Sequence, residues 1–71
     1  MRILRLKDVI EKTGLARSTI YKYVDEGCFP RPVSLGGRSV GWVDAEVHEW
    51  IAQKVQSRDI QYHPMNRSAP H

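Results

Sequence analysis

Two glycines, Gly14 and Gly27, bracket the segment LARSTIYKYVDE, and they set the plan of this chain. Glycine enters the left-handed conformation that closes a helix at no steric cost, so each can end a helix and redirect the chain. Before Gly14, Leu6, Val9 and Ile10 recur at helical spacing, with Asp8 and Glu11 in the N-terminal half where the helix dipole favours acids. That predicts a first helix over 7–13. Leu15 follows as a buried plug, and a second helix runs from about Arg17 to Glu26. Phe29-Pro30 forbids its continuation. Two short helices joined by a glycine turn form a helix-turn-helix.

Beyond Pro30 the period changes from helical to two. Val33 and Leu35 alternate with Ser34, and Val40 and Trp42 with Gly41, around Gly36-Gly37-Arg38-Ser39. This is a β-hairpin signature. A two-residue loop pairs Val33 with Val40; a four-residue loop pairs Leu35 with Val40 and Val33 with Trp42. Both registers keep the apolar residues on one face, so parity leaves the choice open. Asp44 suits the N-cap of a third helix, where Val47, Trp50, Ile51 and Val55 form an amphipathic stripe. The stripe lapses after Arg58. The expectation is one domain over 1–58 and a disordered tail over 59–71, which has two prolines and no periodicity.

The predicted core is Leu6, Val9, Ile10, Leu15, Ile20, Val24, Phe29, Val33, Val40, Trp42, Val47, Trp50 and Ile51. Trp42 and Trp50 lie on apolar stripes and read as packing residues rather than base-stacking platforms. Cys28 has no second cysteine to pair with, and with the three histidines it matches no metal-ligand spacing. His48 reads as a surface residue. No nucleophile–base pair, phosphate loop or carboxylate pair is present, so no enzyme, cofactor, metal or small-molecule substrate is expected. The lack of disulfides and of any long apolar run points to a soluble cytoplasmic protein with no membrane partner.

Charge is unevenly placed. From 1 to 43 there are eight Lys/Arg against four Asp/Glu; from 44 to 58 there are two against three. The positive excess coincides with the helix-turn-helix and favours nucleic acid. At ~100° per residue, Ile20, Tyr23 and Val24 cluster on one side of the second helix. Ser18 and Lys22 fall opposite, with Tyr21 beside them. Ser18 can bond a base edge or phosphate, Tyr21 presents a hydroxyl on a rigid arm, and Arg17 and Lys22 suit phosphate or guanine. Thr19 is a further candidate, with capping or packing at the helix start as its competing role. Arg38, at the hairpin loop, is the candidate backbone or minor-groove contact.

The run RLKDVIEKTGLARSTIYKYVDEGCFPRPVSLGGRSVGWVDAEVHEWI resembles the AlpA-type prophage regulators, small helix-turn-helix proteins related to excisionases and to MerR-type winged helices. The resemblance spans Leu4 to about Arg58 and rests on an ordered set of motifs: TGLxRSTIY, EGxFPxPVxLGGRxVGW, and an acidic helix carrying Trp50. It implies a mainly α fold with a small β-hairpin, a winged helix-turn-helix of three helices with a two-stranded wing between the second and third. It also implies transcription activation or excision control in a prophage or other mobile element. The second helix would enter the major groove of double-stranded DNA, with the hairpin as the wing. An excisionase-like recombination factor and a protein-interaction adaptor are the alternatives. RNA polymerase or an integrase are the candidate protein partners, with cooperative self-association on DNA and a nucleoid-associated location in a bacterial cell. Ala16 and Arg5 depart from the pattern, each standing where Ser or Thr would cap a helix.

Overall fold

In a computed structural model the described residues are 1–61, with side chains described through Asp59. They order as β1 (Ile3–Leu4), α1 (Leu6–Thr13), α2 (Arg17–Asp25), β2 (Val33–Gly36), β3 (Ser39–Val43) and α3 (Asp44–Gln61). Three helices and a β2–β3 hairpin between α2 and α3 make the mainly α winged arrangement that the sequence predicts. Among the described residues, no helix is long and apolar enough to cross a membrane.

The N-terminus adds a strand that periodicity does not show. Ile3 pairs with Val43 and Leu4 with Trp42, so the sheet is three-stranded in the order β1-β3-β2. The Asp44 backbone N–H extends this pairing by donating to the Arg2 carbonyl at 2.8 Å. Gly41 makes the close approach possible. A Cβ there would overlap Ile3 Cγ2 and stand 3.1 Å from both the Leu4 carbonyl oxygen and Leu35 Cδ1.

Neither hairpin register expected from parity occurs. Val33 faces Gly41 and Ser34 faces Val40, while Gly36 faces Ser39, with an irregularity at Leu35 between them. The positive φ of Gly36 (112°) and Gly37 (55°) reverses the chain, leaving Gly37-Arg38 as the loop. The extra residue is a β-bulge, and a bulge shifts parity along one strand. Val33 is consequently 39% exposed rather than a core residue, and Leu35 is exposed as well.

The fully enclosed core is Leu4, Val9, Ile20, Phe29, Trp42 and Val47. Leu4 was missing from the sequence-derived set and enters through β1. Leu6, Ile10, Leu15, Tyr23, Val24, Val40, Trp50 and Ile51 pack around it, half-buried. Both indoles spend their N–H on the strap between α2 and β2: Trp42 Nε1 donates to the Pro30 carbonyl at 2.9 Å and Trp50 Nε1 to the Cys28 carbonyl at 2.6 Å. Phe29 lies edge-on to Trp50 with ring centroids 4.8 Å apart.

At the far end, α3 continues to Gln61, three residues past the boundary placed at Arg58. Its start is tied to α1 by Lys12 Nζ at 3.6 Å from Asp44 Oδ1, an oxygen with no hydrogen-bond donor among the described residues. The pair is partly exposed and contributes about 0–1 kcal/mol. Residues 62–71 of the expected tail lie outside the described residues.

Candidate nucleic-acid interface

The turn between α1 and α2 is built from three local devices. Gly14 adopts φ 74° and its N–H returns to the Ile10 carbonyl at 2.8 Å. Thr13 Oγ1 donates to the Val9 carbonyl at 2.8 Å and accepts from the Leu15 N–H at 3.2 Å. Leu15 then tucks against the core. These bonds set the local geometry of the turn, and core contacts complete the placement of α2.

Each end of α2 is defined differently. At its start Ala16 is extended (φ −73°, ψ 158°) and supplies no side-chain cap. The first turn carries no acid, so its exposed N–H groups and the positive end of the helix dipole remain uncompensated by the chain itself. At its end Gly27 has φ 76°; its N–H bonds the Val24 carbonyl at 3.1 Å, and the Cys28 N–H bonds the Tyr23 carbonyl at 2.8 Å. That pair is a Schellman closure, which satisfies the last carbonyls.

Ile20 anchors α2 with no exposed surface, and Tyr23 and Val24 are half-buried beside it. Arg17, Ser18 and Lys22 are exposed, and Thr19 is half-buried, consistent with packing at the helix start. None of these four side chains makes a hydrogen bond or ion pair among the described residues. Tyr21 is 40% exposed, but its ring also leans on Trp42 with centroids 6.2 Å apart and a 58° tilt. Periodicity placed Tyr21 outward and could not show that contact. It makes the tyrosine a brace between α2 and β3 as well as a surface group. Arg38 is exposed in the Gly37-Arg38 loop, at the opposite end of the hairpin from the strap.

A residue absent from the candidate set fixes the sheet to α1. Arg5 precedes α1, and a residue there with hydroxyl chemistry would cap it. Instead the Asp8 carboxylate accepts from the Arg5 backbone N–H at 3.1 Å, while Arg5 Nε donates to the Val40 carbonyl at 3.1 Å. The departure that weakens one cap thus supplies a bond from the helix start to strand β3. Nothing in local sequence spacing pairs position 5 with position 40.

The family model described as prophage CP4-57 regulatory protein (AlpA) matches residues 2–55. The chain belongs to the AlpA family. Residues Arg17 to Lys22 and Arg38 all fall within the matched span, as do β1 and most of α3. Among curated relatives, a protein named DNA-binding transcriptional activator AlpA, from Escherichia coli strain K12, is 47% identical over 60 residues, covering 76% of this chain and 86% of that protein. An uncharacterised protein, ORF88, of Enterobacteria phage P4 is 44% identical over 61 residues, covering 86% of this chain and 69% of that protein. The AlpA-family fold thus places four cation- or hydroxyl-bearing side chains, Arg17, Ser18, Tyr21 and Lys22, on the exposed side of α2. Arg38 is carried separately on the hairpin.

Proposed function

We propose that this AlpA-family chain is a sequence-specific double-stranded DNA-binding regulator of transcription in a prophage or related mobile element. In this reading α2 enters the major groove and the β2–β3 hairpin lies along the adjacent backbone. The observation that carries it is the exposed face of α2: Arg17, Ser18, Tyr21 and Lys22 project from a helix whose opposite side is sealed by Ile20. The close similarity to a DNA-binding transcriptional activator supports the same function here.

The chemistry divides by position. Arg17 and Ser18 sit in the first turn, where the free backbone N–H groups and helix dipole also attract phosphate. Lys22 and the Tyr21 hydroxyl lie one turn further along and reach base edges or the second strand. Thr19 is better suited to holding the helix start than to reading a base. Arg38 acts as a point of positive charge on the backbone beside the groove, contributing affinity more than sequence preference.

The test is selection of bound duplexes from a random pool, followed by salt titration of Lys22→Ala and Arg17→Ala on the selected site. A phosphate contact removed lowers the slope of log K against log salt by about 0.9. A base contact removed costs about 1–3 kcal/mol and relaxes selection at one position. Unchanged affinity and slope in both variants would remove α2 from the interface. Absence of any salt-sensitive duplex binding at low salt would reject the function itself.

A further inference from the structure

We propose that the groove between the Gly27–Val33 strap and α3 is a docking site for a basic, leucine-bearing segment of a partner protein, with Glu46 and Glu49 as the charges that receive it. The groove is open along its length and encloses about 670 Å³. Phe29, Pro30 and Trp50 form its apolar side, and Glu46 and Glu49 line it from α3. Both carboxylates are exposed and have no ion-pair partner among the described residues. These two acids stand at an apolar groove in a protein of net charge +3.

That distribution decides the class of occupant. The groove begins at the C-terminal end of α2, roughly 13 Å along the helix from Arg17 at 1.5 Å per residue. Its carboxylates repel a phosphate backbone, which disfavours nucleic acid as the ligand. Arg31 also lines the groove, but a single cation beside two carboxylates leaves the surface negative. An apolar floor with acidic groups accepts a chain that alternates cations with aliphatic side chains.

A second copy of this protein is a poor fit. Its cations are largely committed: Lys12 of α1 is beside Asp44, Arg58 is bonded to Asp59 at 2.9 Å, Lys54 lies 5.2 Å over the Trp50 ring, and in the proposed function Arg17, Lys22 and Arg38 face DNA. A partner brought to the same DNA region supplies the basic segment without breaking those pairs.

The experiment uses the whole chain and a labelled ten-residue peptide alternating Lys or Arg with Leu, read by fluorescence anisotropy. Glu46→Gln/Glu49→Gln should weaken peptide binding by up to about 25-fold, since each exposed ion pair carries up to about a fivefold effect. Glu49→Gln alone, which leaves the first-turn acid of α3 in place, should lose a smaller share with an unchanged melting profile. Glu11→Gln/Asp59→Asn removes the same charge elsewhere and should stay within about twofold of the parent. Duplex binding by the groove variant should also be unchanged. Equal loss in the groove and control variants would overturn the proposal, because binding would then follow net charge alone. So would equal affinity for an alternating Glu–Leu peptide. Self-association of the protein that the groove variant abolishes would overturn it too, by making a second copy the occupant.

Discussion

Gly41→Ala tests the tightest approach in the fold. The added methyl overlaps Ile3 Cγ2 and stands 3.1 Å from the Leu4 carbonyl oxygen, a backbone atom that cannot rotate away. Overpacking of this kind costs about 1–3 kcal/mol. A chain of this length has about 4–10 kcal/mol in total, so the melting temperature should fall by roughly 5–20 °C. Thermal melts by circular dichroism on a four-protein cycle isolate the cause. Ile3→Ala alone loses part of a half-buried side chain and should cost about 1–2 kcal/mol. In the double variant the methyl group finds the space that Ile3 vacates. The combined loss should fall short of the sum by at least about 0.5 kcal/mol, and Leu4's carbonyl keeps the rescue partial. Additive losses would refute the argument, because Ile3 would then not be what confines Gly41.

Three further outcomes follow from positions described above. Ala16→Ser places a hydroxyl where the backbone is already extended and should raise stability by about 0.5–2 kcal/mol, measured by urea denaturation. Trp42→Phe leaves the Pro30 carbonyl without its donor and should cost about 1–3 kcal/mol for the bond alone; a melt unchanged from the parent would show that water replaces the indole. Arg38→Ala should reduce duplex affinity nearly equally for selected and random sequences in gel shifts, and selective loss on the preferred site would make Arg38 a base reader instead.

The parts of this fold that periodicity encodes were open to the sequence. Val9, Ile10 and Ile20 repeat at helical intervals, Gly14 and Gly27 mark the stops, and the change to period two announces the hairpin. What escaped depends on pairing between distant segments. Ile3–Leu4 is too short to display a period, and becomes a strand only because β3 offers an edge. The hairpin register failed for a related reason: parity assumes one residue opposite one, and the bulge at Leu35 breaks that count. The candidate site followed the same division. Outward placement of Ser18 and Lys22 can be read from a wheel, since solvent exposure follows helix phase. The contact of Tyr21 with Trp42 and the bond from Arg5 to Val40 cross between elements, so no local pattern carries them.

The two indole bonds onto the strap have a mechanical consequence. Trp42 grips it at Pro30 from the sheet, and Trp50 grips it at Cys28 from α3. The strap is the covalent link between α2 and the hairpin, and it is pinned from both sides. Tyr21 adds a direct contact between α2 and β3. The protein therefore behaves as a calliper of set span. In the proposed mode of binding, a duplex touching both jaws would have to match that span by its own bending and groove width, and steps that deform at low cost would then be preferred even where no side chain reaches them.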